Sequence, residues 1–377
     1  MRDARTLNPA YMLTRRRIKK PRSPIRELHG AHRENPIGTD GFEFVEYTAN
    51  NTQKLAALFE TLGFVAVARH RSKDVTLYQQ GDINFIINHE PDSFARAFAR
   101  VHGPSVCAFG IRVKDAAYAL KRAVKHGARP YQGRVGPMEL NIPAIRGIGG
   151  SLIYLVDRYD KPSIYDVDFI RFDNAPAKVE GAGLTHVDHL THNVHAGRMD
   201  HWARFYQRLF HFREIRYFNI RGQKTGLRSR AMVSPCGKIR IPINEPSDQK
   251  SQIKEYLEAY HGEGFQHIAI ASKDIYATVA ALSGLGVQFL DVPKAYYDKI
   301  NARLPGHEED LERLRQNHIL IDGQPDGGLL LQIFTKTVIG PVFFEIIQRK
   351  GDEGFGEGNF RALFEAMERD QMERGVL

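Results

Sequence analysis

The sequence predicts an α+β chain built of two similar halves, each assembled from strand–helix–strands modules. Three internal matches support this. CAFGIRVKDAAYALKRAVKHGA (107–128) lies on QHIAIASKDIYATVAALSGLGV (266–287), with Lys114-Asp115 falling on Lys273-Asp274 at an offset of 159. SLIYLVDRY (151–159) lies on VFFEIIQRK (342–350), and FVEYTANNTQKLAALFETLGF (44–64) echoes DHLTHNVHAGRMDHWARFYQRLFHF (188–212). Repeats of this size are whole supersecondary modules rather than the short units of a solenoid.

The chain begins with a basic tail, residues 1–36. It carries ten Lys and Arg against Asp3, Glu27 and Glu34, a balance of +7 that leaves only +2 of the total +9 for residues 37–377. Pro9, Pro21, Pro24 and Pro36 run through it, so it reads as a solvated extension of low order, or as sequence upstream of a start at Met12. With a nearly neutral body, no nucleic-acid partner is expected.

The first half, 37–160, runs from the strand at 44 through the helix that follows it. It then repeats the pattern from the alternating strand at 107, whose Lys-Asp turn opens an amphipathic helix with a glycine stop. Residues 161–182 form the linker, within a stretch (157–183) that also reads as an outer strand. The second half, 183–377, follows the same order but adds an insertion at 293–323, read as a helix or two near the surface. The last segment, GNFRALFEAMERDQMERGVL (358–377), spaces Phe360, Leu363, Phe364 and Met367 along one helix face.

The bulk numbers exclude several classes. No apolar run approaches the length of a membrane span. The N-terminus lacks a signal-peptide core. Two cysteines, Cys107 and Cys236, supply neither a disulfide framework nor a thiolate metal site, which fits a reducing cytoplasm.

Chemistry enters at GPVFFEIIQRK, where Glu345 interrupts an apolar strand. A buried ionised carboxylate costs several kcal/mol unless a positive partner meets it. His267 begins the strand at 266–272 and His189 lies in the first strand of the same half. Two imidazoles and a carboxylate on one sheet face, without cysteine, form the ligand set of octahedral non-haem Fe(II) with open positions. The repeat supplies a control: His267 corresponds to Ala108 and Glu345 to Tyr154, while the partner of His189 falls among 43–46. Among sixteen histidines, however, His186, His192 and His195 crowd the same segment. Spacing alone does not choose among them, nor does it exclude an arginine as the partner of Glu345.

The chain resembles the 4-hydroxyphenylpyruvate dioxygenase family in its bacterial form, over about residues 35–377. The resemblance is carried by GFEFVEY, RHRSKDVTLYQQGDINFIIN, HGPSVCAF, GPMELNIPAIRGIGG, VDHLTHNV, RIPINEP, GEGFQH, LLLQIFTK, GPVFFEIIQRKGD and GFGEGNF. It implies two vicinal-oxygen-chelate domains of repeated βαβββ modules forming open barrels, the first without metal, with the C-terminal helix over the second barrel. It also implies one Fe(II) per chain on His189, His267 and Glu345. The implied substrates are O2 and the α-keto acid 4-hydroxyphenylpyruvate, taken to homogentisate and CO2 in tyrosine and phenylalanine breakdown. A homotetramer is expected by analogy.

The resemblance places the substrate pocket at Ser229, Asn244, Gln252, Gln266, Gln332, Phe334, Phe355, Asn359, Phe360 and Phe364. Gln266, Gln332 and Asn244 are the expected catalytic amides, orienting oxygen atoms without adding charge. Ser229 and Asn244 would hold the phenol, and Phe334 and Phe360 would sandwich its ring. Arg228 departs from the smaller polar residue of bacterial relatives, which bears on pocket shape. Pro242, Asn244 and Phe360 match the ring-hydroxylating branch rather than hydroxymandelate synthase, which oxidises the benzylic carbon of the same substrate. The helix after GFGEG is expected to close over the iron and to move for substrate entry.

Overall fold

Strands buried on both faces read as continuous apolar runs, and strands buried along nearly their whole length lie at the centre of each sheet of this molecule. The computed structural model describes residues 35–222, 224–324 and 328–375; the basic tail up to residue 34 lies outside the described residues. The front half contains β1 (Phe42–Thr48), α1 (Thr52–Thr61), β2 (Val65–His70), β3 (Val75–Gln80), β4 (Ile83–Asn88), α2 (Phe94–His102), β5 (Ser105–Arg112), α3 (Ala116–Lys125), β6 (Pro130–Tyr131), β7 (Ala144–Arg146) and β8 (Leu152–Val156). A connecting stretch holds α4 (Ile164–Asp168) and β9 (Phe169–Arg171).

The rear half contains β10 (Leu184–Asn193), α5 (Met199–Phe210), β11 (Arg213–Arg221), β12 (Gly226–Val233), β13 (Arg240–Pro246), α6 (Gln252–Ala259), β14 (Gly264–Ser272) and α7 (Ile275–Gly284). It continues with α8 (Lys294–Tyr297), α9 (Ile300–Arg303), α10 (Leu311–Gln316), β15 (Leu320–Gln324), β16 (Gly328–Phe334), β17 (Phe343–Lys350) and α11 (Glu357–Glu373).

The two sheets share one topology. The front sheet runs β6-β7-β8-β5-β1-β4-β3-β2-β9 and the rear sheet β11-β12-β13-β10-β14-β17-β16-β15. Each therefore joins two βαβββ modules through an antiparallel central pair, β1 with β5 and β10 with β14, and each curls into a half-barrel. The repeated Lys-Asp turns are helix caps: Asp115 accepts from Tyr118 N at the start of α3, and Asp274 from Ala277 N at the start of α7.

The register of the two halves is also the same. Ala108 faces Leu152 and Gly110 faces Tyr154 across β5 and β8; His267 faces Phe343 and Ala269 faces Glu345 across β14 and β17. Phe44 faces Gly110 as His189 faces Ala269, so Phe44 is the front-half counterpart of His189.

The main core lies where the convex sides meet. Phe85 and Phe344 rings lie 6.1 Å apart, and Phe109 and Phe265 5.8 Å apart, across the two sheets. The concave sides hold separate clusters. The insertion at 293–323 is less superficial than the sequence suggested. Its three short helices bury Tyr297, Ile300, Leu304 and Leu314, none more than 3% exposed, because these residues join the main hydrophobic core.

Candidate metal centre and substrate pocket

Three adjacent strands of the rear sheet, β10, β14 and β17, each send one side chain to the same point. Glu345 Oε2 lies 3.3 Å from His189 Nε2 and 3.2 Å from His267 Nε2, and the two Nε2 atoms are 3.3 Å apart. All three side chains are buried, and they form the potential metal-holding group among the described residues. Ala269 makes the convergence possible: it is the cross-strand neighbour of both His189 and Glu345, and its methyl leaves the space between them open. Donor atoms in neighbouring positions of an octahedron, each about 2.1 Å from a common ion, stand about 3 Å apart. The observed spacing fits that arrangement.

The outer nitrogens of both rings are spoken for. His189 Nδ1 bonds Asp188 Oδ1 at 2.8 Å, and Arg349 grips Asp188 with Nε and Nη2, each at 2.8 Å. Burial works against the Asp188 charge, but Arg349 outweighs it and holds the carboxyl well below the usual range. His267 Nδ1 faces Gln266 Oε1 at 3.1 Å, and Asn244 Nδ2 donates to the same oxygen at 3.2 Å. With Nδ1 donating in each ring, the Nε2 lone pairs point inward, as a metal requires. Burial also opposes ionisation of Glu345, yet the two imidazoles prevail and bring its carboxyl down to about 2.

The rival histidines lie elsewhere. His192 faces the other side of β10, bonded to Tyr206 Oη at 2.7 Å, and burial lowers it to about 3. His186 borders a separate polar cleft, and the His195 backbone N–H donates to Glu263. No arginine among the described residues bonds Glu345; its other oxygen accepts from Gln332 Nε2 at 2.7 Å.

A cavity opens beside the three ligands, lined by Ser229, Pro242, Asn244, Gln332, Phe334, Phe355 and Phe360. Thr191, Phe218 and Leu363 line it too, and sequence reasoning did not single them out. Thr191 was discoverable, since it follows His189 by two residues on the same strand face. Gln252, Gln266, Asn359 and Phe364 are not among the lining residues. Gln266 acts from behind His267, and Asn359 Nδ2 donates to Gln332 Oε1 at 2.8 Å. Phe364 is fully buried under α11, and Gln252 is 5% exposed at the start of α6. Arg228 does not line the cavity; it pairs with Glu245 at 2.8 Å on the opposite face from Ser229.

The pocket leaves polar atoms unanswered. Ser229 Oγ and Asn244 Oδ1 on the pocket wall, and Gln252 Oε1 outside the lining, are buried without a hydrogen-bond partner among the described residues. Buried polar groups are nearly always paired, so such orphans point to a ligand or ordered water. The entry to α11 is equally specific. Gly356 has φ +63, and a Cβ there would come within 2.7 Å of Gln332 Oε1, so only glycine admits this turn.

Comparison with known proteins agrees with this geometry. Residues 33–170 match the family described as hydroxyphenylpyruvate dioxygenase, N-terminal, and residues 186–301 match the glyoxalase/bleomycin resistance protein/dioxygenase superfamily. A 4-hydroxyphenylpyruvate dioxygenase of Pseudomonas aeruginosa is 57% identical over 347 residues, covering 91% of this chain and 97% of the relative. The chain belongs to the 4-hydroxyphenylpyruvate dioxygenase family. Its two sheets are thus vicinal-oxygen-chelate domains, and the protein is an enzyme of the dioxygenase type.

Relatives within reach of this family carry other names. Hemolysin VllY of Vibrio vulnificus is 62% identical, covering 91% of this chain and 98% of its own. Among solved structures, a triple mutant of 4-hydroxymandelate synthase from Streptomyces coelicolor superposes with a TM-score of 0.79 at 26% identity, covering 89% of this chain and all of that one. No helix among the described residues is long and apolar enough to cross a membrane.

Proposed function

We propose that the protein converts 4-hydroxyphenylpyruvate and O2 to homogentisate and CO2, using one Fe(II) per chain on His189, His267 and Glu345. The observation that carries this reading is the meeting of two inward-facing Nε2 atoms and one carboxylate oxygen at 3.2–3.3 Å in a pocket walled by amides and aromatic rings. Bound Fe(II) supplies dioxygen activation, oxidative decarboxylation of the keto acid, and ring hydroxylation with side-chain migration.

The chain's own residues have the following parts. Asp188 and Gln266 fix the tautomers of the two histidines. Gln332 holds Glu345 in place and, with Asn244, presents neutral amides on the pocket wall that orient substrate oxygens without competing as ligands, while Gln266 supports His267 from behind. Ser229 Oγ and Asn244 Oδ1, both unsatisfied, receive the phenol hydroxyl, and the orphaned Gln252 Oε1 adds an acceptor behind them. Phe334, Phe355 and Phe360 enclose the ring and exclude water. Asn359 and Phe364 position α11, which opens for substrate entry.

The presence of Pro242, Asn244 and Phe360 on the wall favours ring hydroxylation over benzylic oxidation. We further propose a metal-free front domain (37–160), a linker (161–182) and a catalytic rear domain (183–377), in a cytoplasmic homotetramer. Anaerobic titration with Fe(II) and 4-hydroxyphenylpyruvate tests the centre. A visible charge-transfer band is expected in the parent and absent in His267→Ala; a band that survives that substitution overturns the ligand set. Because the two candidate products are isomers, chromatography against standards with tandem mass spectrometry of the aerobic product decides the reaction: homogentisate supports it, 4-hydroxymandelate overturns it.

A further inference from the structure

The front barrel holds a cavity of about 150 Å³, and its position follows from the shared register. Phe44, Glu46 and Tyr154 line it at the places that His189, Thr191 and Glu345 occupy behind. The likeness extends outward. Val75 faces Asn88 across β3 and β4 as Ser229 faces Asn244 across β12 and β13, and Ile86 stands where Pro242 does. All three front residues line the cavity. The front half has therefore kept the recess while replacing the three reactive side chains.

The lining has a definite chemistry. Phe44, Val75 and Ile86 form an apolar waist. On its floor Asn88 Nδ2 donates to Glu46 Oε1 at 2.7 Å, and Glu46 is only 7% exposed. Burial raises the Glu46 carboxyl above its ordinary range, which favours a neutral, hydrogen-bonding group. Tyr154 lines the same cavity. At the rim stand Lys73 and Arg134, with Lys73 Nζ 2.7 Å from Glu139 and also donating to the Arg134 carbonyl. A cavity of about 150 Å³ with this mixed apolar and polar lining has room for one benzene-sized ring.

We propose that the front barrel is a second small-molecule site, taking a one-ring aromatic carboxylate. Its ring packs between Phe44 and Ile86, a polar substituent meets Glu46, Asn88 and Tyr154, and its carboxylate reaches Lys73 and Arg134. The site is independent of the metal centre and does not rest on the reaction proposed for it.

The probe is 4-hydroxyphenylacetate, which lacks a keto oxygen and so cannot form the five-membered chelate of an α-keto acid. Binding to the full chain is measured by calorimetry and saturation-transfer NMR. Equal binding by the parent and His267→Ala is expected. Val75→Phe, which fills the waist, is expected to weaken binding at least tenfold while leaving turnover of 4-hydroxyphenylpyruvate unchanged. Should that variant not fold, Tyr154→Phe removes only the hydroxyl and is expected to weaken binding about fivefold. No binding at millimolar probe overturns the proposal. So does binding that His267→Ala abolishes, or that both front-barrel variants leave intact.

Discussion

Asn359 Nδ2 donates to Gln332 Oε1 at 2.8 Å, and the same Gln332 amide donates through Nε2 to Glu345 at 2.7 Å. Asn359 Oδ1 in turn accepts from Tyr296 Oη at 2.8 Å. The C-terminal helix is thus wired to a metal-ligand candidate through one amide. Asn359→Ala leaves Gln332 free to rotate and is expected to lower kcat by about tenfold to a hundredfold, with metal content retained, since misplaced groups near reacting atoms cost that much. Steady-state turnover beside metal analysis checks this.

Asp188 is the acceptor that keeps the His189 Nε2 lone pair directed inward. Asp188→Asn keeps the shape but removes the charge, and metal affinity is expected to fall about tenfold to a hundredfold. Arg349→Met is harsher, because it leaves the 2% exposed Asp188 carboxylate with only the more distant Arg240, at 3.7 Å, as a cationic partner. Its expected cost is about 3–5 kcal/mol of stability, read as a fall in the urea midpoint of the metal-free protein.

Ala269 keeps open the gap between His189 and Glu345. Ala269→Leu puts three extra carbons into that gap and is expected to abolish metal retention and turnover. Ala269→Gly is expected to keep both, at a cost of about 1 kcal/mol from strand flexibility. Metal content of the purified variants separates the two.

His192, on the far face of β10, contributes a pH dependence. Burial lowers it from 6.5 to about 3 in the folded chain. The unfolded chain therefore takes up a proton near its ordinary value while the folded chain refuses it. The associated stability is fully present above 6.5 and is lost as pH falls from 6.5 toward 3, at up to about 1.4 kcal/mol per pH unit. Urea unfolding at about pH 7 and pH 5 should show His192→Gln gaining on the parent at the lower value.

The second module of each half was legible because an offset of 159 preserves its opening strand, cap and helix, and its closing strand recurs at an offset of 191 after the insertion. Lys-Asp caps, strand starts and glycine stops recur in step, and the Ala108–His267 and Tyr154–Glu345 correspondences match the observed pairing. The partner of His189 was not legible, since β10 carries register shifts on either side of that residue that break simple spacing. Glu345 stood out as a charged residue in an apolar strand, whereas His189, in a strand crowded with histidines, was singled out only by the family resemblance. The Asp188–Arg349 clamp and the Gln332–Asn359 link stayed hidden, because each joins residues far apart in sequence through side chains common on protein surfaces. The depth of the 293–323 insertion was hidden too, since its apolar residues lie in helices too short to show a periodic stripe.

Gly110 supports Phe44 in the front barrel, where an added Cβ would come within 2.8 Å of the phenyl ring, while Ala269 at the matching place behind accommodates an imidazole. The backbone pairing is indifferent to this exchange. A doubled ancestral segment could therefore surrender its chemistry on one side through a few side-chain changes, with the scaffold undisturbed. The converse follows for engineering: reactivity should be transplantable between the twin barrels, provided the residue across from the new histidine is altered along with it.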